Sequence, residues 1–177
     1  MSQLRTNSIV PVGGVPSGAS GGGIVQIKQV STNLEITSTN SVPRDNTVPL
    51  STEGVEILST TFTCQSASNK VLISVCCYGN EDSNLGDNLT FCVYEGSTLI
   101  GMGFHRSTGD GSADGENYWD TSFDVLYSPA STSSKTYSLR GGCDGGTFEH
   151  LGTTTYSVNS HYGANRKTTM TFYEISG

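Results

Sequence analysis

The sequence predicts an all-β domain, a sandwich or barrel of short antiparallel strands behind a glycine- and proline-rich arm. Three observations lead there. Serine, threonine and glycine number 25, 22 and 22 of 177 residues, while hydrophobic residues make up 34% and charged residues 14%. A helical bundle or coiled coil needs Ala, Glu, Lys, Leu and Arg in bulk, so that class is excluded. Apolar residues recur with period two in short runs, the alternation of half-buried strands, and no helical pattern exceeds two turns. These runs follow one another at roughly 8–15 residues, the spacing of a sandwich or barrel.

Residues 1–23 form the arm, with Pro11, Pro16 and six glycines among few large apolar groups. A segment of this kind buries too little surface to offset its own ordering entropy, so another subunit or another protein must hold it. The domain then runs from 24 to 177. Ile24–Val30 alternates as a strand, followed by Val55–Thr63 and Lys70–Tyr78. Asn88–Glu95 and Thr98–Phe104 both alternate, and Gly96-Ser97 between them is a tight-turn signal, so the pair reads as a hairpin. Trp119–Tyr127, Lys135–Arg140, Thr147–Leu151, Thr154–Val158 and Lys167–Ile175 complete nine or ten strands. No internal repeat occurs.

Charge and cysteines narrow the partners. Sixteen acidic against nine basic residues give a net charge of −7, with no basic cluster larger than Arg166-Lys167, so nucleic acid is excluded as a partner. Fifteen aromatic residues spread along the chain argue against disorder. No apolar run approaches the length of a membrane span, and the first residues lack the pattern of a secretory signal. Cys64, Cys76, Cys77, Cys92 and Cys143 are odd in number, with no CxxC pair or matching histidine spacing. They read as small buried apolar groups made in a reducing cytosol, not as a zinc site or disulfide framework.

Catalytic chemistry has little to build on. His105, His150 and His161 are the only histidines, and no Gly-x-Ser-x-Gly elbow occurs. Gly141–Gly146 lacks the lysine and following helix of a phosphate loop and reads as a hairpin or loop tip. Asn88-Leu89-Thr90 fits a glycosylation sequon but carries no meaning without a signal peptide. No cofactor is expected.

The sharpest feature is the long loop 105–120. Asp110, Ser112 and Asp114-Gly115 match the start of a calcium loop, but the twelfth position is Thr121 where a bidentate Glu belongs, so the acidic-loop reading outweighs the metal one. The same loop gathers His105, Arg106, Asp114, Glu116, Tyr118 and Trp119. Aromatic faces stack on sugar rings while charged groups meet hydroxyls, so these six are the candidates for a glycan contact. The competing reading has Trp119 open a strand and pack inward.

Three stretches together resemble a family of bacteriophage virion proteins, tail-fibre or structural components common in marine and cyanobacterial phages. They are the arm Leu4–Pro11 through Gly18–Gly23 into Ile24–Gln29, the segment Thr61–Ile73, and Ser128–Tyr137 followed by Tyr162–Ile175. The family often has proline where Cys64 stands, so that cysteine inherits no role. The resemblance implies an antiparallel jelly-roll sandwich like that of tumour-necrosis-factor-like trimers, packed three-fold. It implies an arm tying the trimer to other virion proteins, and no catalytic residues. The anchoring side chains are then Leu4, Arg5, Ile9, Val10, Pro11, Val15 and Pro16.

A thin core with edge strands to protect favours trimer packing on physical grounds as well, and Phe172, Tyr173 and Ile175 place apolar groups on both faces of the last strand. The sequence therefore predicts a non-enzymatic, homotrimeric fibre, spike or decoration component of a virion, made in the host cytoplasm, with loops toward host surface polysaccharide. The rival reading is a stand-alone carbohydrate-binding β-sandwich module.

Overall fold

A computed structural model of the chain describes residues 23–81, 88–106, 119–151 and 166–177, and of Glu81 and Trp119 the backbone only. Residues 1–22 of the predicted 1–23 arm and the predicted strand Thr154–Val158 lie outside the described residues. Within them are ten strands and no helix: β1 (Ile24–Thr32), β2 (Ile36–Ser38), β3 (Val55–Phe62), β4 (Lys70–Glu81), β5 (Asn88–Glu95), β6 (Thr98–Arg106), β7 (Trp119–Tyr127), β8 (Lys135–Cys143), β9 (Phe148–His150) and β10 (Thr168–Ile175).

The strands form two antiparallel sheets. One reads β1-β10-β4-β7, and β9 and β2 continue it past the end of β10, where Asn80 and Glu81 of β4 pair with β9. The other reads β3-β8-β5-β6. Leaving out the three-residue β2 and β9, the chain's first and last strands lie side by side in one sheet, and the second and seventh in the other. This is jelly-roll order, two Greek keys folded face to face.

The predicted hairpin forms, with Gly96 at φ +57° in the first central position of a two-residue turn. A side chain is strained in that region, and glycine is not.

The core lies between the sheets. Val71, Ile73, Val75 and Cys77 of β4 face Phe91 and Val93 of β5 and Leu139 of β8, all at most 1% exposed. Phe172 stacks on Phe62 at 5.0 Å and meets Tyr137 edge-on at 5.2 Å. Where β6 turns its core side to β7, it carries Gly101 and Gly103. A Cβ on Gly101 would stand 2.1 Å from Val125 Cγ2, and one on Gly103 2.5 Å from Phe123 Cδ1. Missing side chains thus let the two sheets close along this edge.

Gly141, Gly142 and Cys143 are not a loop tip as the sequence suggested. They end the central strand β8, and a Cβ on Gly141 would stand 2.6 Å from Phe148 Cζ. Four cysteines, Cys64, Cys77, Cys92 and Cys143, are buried and unbridged, acting as small apolar groups, while Cys76 is half-buried.

Candidate functional site

The sandwich has two unlike poles. At the first, Gly23 enters β1 bonded to the C-terminal strand: Ser176 N donates to Gly23 O at 3.0 Å, and Gly23 N to Ser176 Oγ at 3.1 Å. The 63–69 turn, the Gly96 turn and the 128–134 connection share this pole. Glu174, 0% exposed, ties it together. Its carboxylate accepts from Gln26 Nε2 at 2.5 Å, Asn69 Nδ2 at 2.6 Å and Gln65 N at 2.7 Å. Burial alone would raise its pKa, but these donors hold it below the usual carboxylate value.

The second pole receives the ends of β4, β6 and β9 and the starts of β5, β7 and β10, so segments 82–87, 107–118 and 152–165 all depart from and return to it. A nine-residue strand separates the poles by about 30 Å. The chain therefore joins its arm at one end and carries its long connections at the other.

At the second pole, Arg166 binds Asp120 through both carboxylate oxygens, at 3.0 and 3.1 Å, and its guanidinium lies 4.6 Å from the centre of the Tyr78 ring. Cys76 Sγ and Tyr78 Oη are hydrogen-bonded at 3.5 Å, and this bond, followed by burial, pushes the phenol's pKa up to about 12. Asp144 organises the neighbouring corner. It accepts from Asn88 N at 2.6 Å and Asn88 Nδ2 at 2.9 Å, and Arg44 Nε stands 3.8 Å away. The sequon asparagine is thus buried and its amide committed.

Of the loop candidates, Arg106 is exposed at the end of β6. His105, half-buried, pairs in register with Leu89 and so faces the core side of its sheet. Asp110, Ser112, Asp114, Glu116 and Tyr118 lie outside the described residues, as do Leu4, Arg5, Ile9, Val10, Pro11, Val15 and Pro16. The Trp119 backbone opens β7 opposite Gly79. Among the described residues, no three His, Cys, Asp or Glu side chains converge as a metal site.

The outer faces of the two sheets carry what sequence reading missed. On β3-β8-β5-β6, the connection 39–54 folds back over the sheet. Val42 packs on Cys92 and Tyr94 with Leu99 beside them, a second small core. Arg140 donates to Glu53 O and Gly54 O at 2.9 Å each, Tyr94 Oη donates to Leu50 O at 2.9 Å, and Val42 N donates to Cys143 O at 2.9 Å.

The outer face of β1-β10-β4-β7 has no such cover among the described residues. Register places Ile27 beside Tyr173, Tyr173 beside Leu72, and Leu72 beside Leu126, one apolar row running from edge to edge. Ile27 and Leu126 at its ends are 59% and 61% exposed. Ile24 and Ile175 extend the row toward the arm. The next row, Gln29, Thr171, Ser74 and Asp124, is polar.

No protein-family model matches the chain, and no curated protein does. Among solved structures it is similar to the VP2 subviral particle of infectious bursal disease virus, with a TM-score of 0.38 and 11% identity over 97% of this chain and 41% of that one. It is also similar to the structure of the Gx strain of infectious bursal disease virus, with a TM-score of 0.39 and 11% identity over the same shares. The chain thus spans about two-fifths of these viral chains. TM-scores this low at this identity establish neither a common fold nor a common role, and the jelly-roll order stands on the strand pairing of this chain alone.

Proposed function

We propose that this is a structural component of a virion, working by assembly and not by catalysis. Three copies pack about an axis through the β1-β10-β4-β7 face, the arm joins the trimer to other virion proteins, and the opposite pole faces outward toward host surface glycans. The observation that carries the reading is the apolar row Ile27–Tyr173–Leu72–Leu126. Contiguous exposed apolar surface is rare on a soluble monomer and marks a contact. The row's most exposed members stand at the two sheet edges, where side-by-side copies meet. A face-to-edge contact repeated by rotation closes as a ring. The placement of arm and long connections at opposite poles supports a part anchored at one end and presented at the other. The sequence resemblance to phage virion proteins supplies the setting.

The test is the native mass of the full chain by light scattering over a range of concentrations. The expected value is three times 18.7 kDa, independent of dilution. A dilution-independent monomer would overturn the trimer. It would favour the second reading, a stand-alone carbohydrate-binding module, for which the Tyr78–Arg166–Asp120 group, half-buried at Tyr78 and Arg166 and exposed at Asp120, is the supporting observation. Deleting residues 1–22 should leave the mass trimeric while abolishing incorporation into particles.

A further inference from the structure

A groove of about 380 Å³ runs along the outer side of β3-β8-β5-β6, between the 42–49 segment and the side chains of β6. Its floor is Thr90 and Asn88 of β5, one wall is Met102 and Phe104 of β6, and the other is the Pro43–Pro49 stretch with Arg44 and Asp45. Phe104 is 68% exposed and Met102 45%, the aromatic ring standing outward from a well-paired strand.

We infer that this groove is a saccharide-binding site, with the ring faces of a polyhydroxylated ligand on Phe104 and Met102 and its hydroxyl or acidic groups on Asp45, Arg44 and Arg106. The inference rests on the outward-facing pole proposed above.

Two features favour a sugar over a peptide strand. Adding a strand to a sheet needs a free edge. β6 is the outer strand of its sheet, but the groove lies over the sheet face, on side chains of β5 and β6, so a strand added to that edge would run beside the groove and not in it. The lining also pairs apolar walls with a few fixed polar groups, the build of a small-molecule site. The Asn88 amide is held by Asp144, and the Asp45 carboxylate accepts from Thr47 N at 2.8 Å and Thr47 Oγ1 at 2.6 Å. Those bonds from Thr47 lower the Asp45 pKa, keeping it an ionised acceptor for hydroxyls. On a chain of net charge −7, Arg44 beside the groove and exposed Arg106, in register with Asn88, offer a local pair of cations to an acidic sugar. Packing through the opposite sheet leaves this side open.

The full chain is to be screened against an array of neutral and uronate-bearing oligosaccharides. The best binder is then titrated while following the Met102 methyl resonance in methionine-labelled protein; Met170, in the core, serves as internal reference. The expected result is binding that shifts Met102 and leaves Met170 in place. Phe104→Ala should weaken binding at least tenfold, Asp45→Asn should weaken neutral and acidic sugars alike, and Arg44→Ala should weaken chiefly the acidic ones. Leu34→Ala, an exposed apolar position outside the groove, should bind as wild type.

Light scattering of Phe104→Ala separates this site from the assembly reading. A trimer that has lost sugar supports both. A mass change with Phe104→Ala makes Phe104 a subunit contact and overturns the groove while keeping assembly. Absence of binding across the array, binding indifferent to Phe104, or a peptide captured there in place of sugar would also overturn it.

Discussion

The two sheets of this sandwich treat their outer faces in opposite ways. The β3-β8-β5-β6 sheet is covered by its own chain, which returns over Cys92 and Tyr94 and is fastened by Arg140 and Tyr94 to backbone carbonyls. The β1-β10-β4-β7 sheet carries an apolar row of similar character with no such cover among the described residues. Apolar surface on both faces of a sheet must go somewhere. Here an internal connection takes one face, and the other is left for a neighbour. The difference shows how to separate residues that fold the subunit from residues that assemble it.

The largest expected effect falls on the bare face. Replacing Ile27 and Leu126 together by Glu puts charges at both ends of the row, and a like-charged contact loses its desolvated seam. The native mass should fall from three times 18.7 kDa to one, with the denaturant midpoint of the subunit little changed, because both side chains are exposed. An undiminished mass would show that copies meet elsewhere.

The covered face answers to a different change. Gly54 sits at φ +61°, and a Cβ there would stand 2.5 Å from Gly141 O. Gly54→Ala combines backbone strain with a clash against backbone, a cost of about 3 kcal/mol, and lifts the 39–54 cover. Burial pushes the Cys92 thiol up to about 11 and hides it from reagent. The variant should therefore expose one more rapidly reacting thiol than wild type while the mass stays trimeric. Unchanged thiol kinetics would mean that the cover holds without this turn.

Much of the domain is legible in the sequence, for local reasons. Asn88–Glu95 and Trp119–Tyr127 match the observed strands to the residue, because alternation and the flanking Gly, Asp and Pro are local signals. The Gly96 hairpin is equally local. What sequence reading missed depends on distant partners. β2 is three residues held by β9, and the 39–54 cover is fastened by Arg140 and Tyr94 from strands far along the chain. Gly141 and Gly142 read as a flexible tip, whereas they are the small residues that admit Phe148 and Val42. The bare row was half visible. Tyr173 and Ile175 on a two-faced apolar strand gave the signal, but only register shows Ile27, Leu72 and Leu126 in line with them.

Acid should act at the ribbon that extends the bare-faced sheet. His150 is buried, with Nδ1 2.7 Å from Leu34 O and Nε2 2.7 Å from Thr168 Oγ1, so it links β10 to the connection after β1. Burial disfavours its charged form and lowers its pKa from 6.5 to about 4. Above pH 6.5 it is neutral in both states and contributes no slope. Between 6.5 and about 4 only the unfolded chain takes up the proton, so stability falls as the pH drops, by up to about 3 kcal/mol. Glu174 and Glu95 have pKa values below the ordinary 4.5, so the stability they contribute is lost only at lower pH. Urea midpoints at pH 7 and pH 4.5 should differ markedly in wild type and much less in His150→Gln. Equal slopes in the two proteins would remove His150 as the cause.

The smallest expected effect tests whether the cover is fastened by single bonds or by its packing. Tyr94→Phe removes the hydroxyl that donates to Leu50 O and leaves the ring against Val42 and Cys92. A hydrogen bond to a backbone carbonyl contributes about 1 kcal/mol net, and Leu50 lies in an exposed stretch where water can replace the lost donor. The unfolding free energy from urea titration should therefore fall by about 1 kcal/mol or less, with Cys92 still protected. Arg140, which holds two carbonyls, stays in place and keeps the turn closed. A loss as large as that of Gly54→Ala would mean that the Tyr94 bond alone latches the cover, and the second core would then be a consequence of that latch and not its cause.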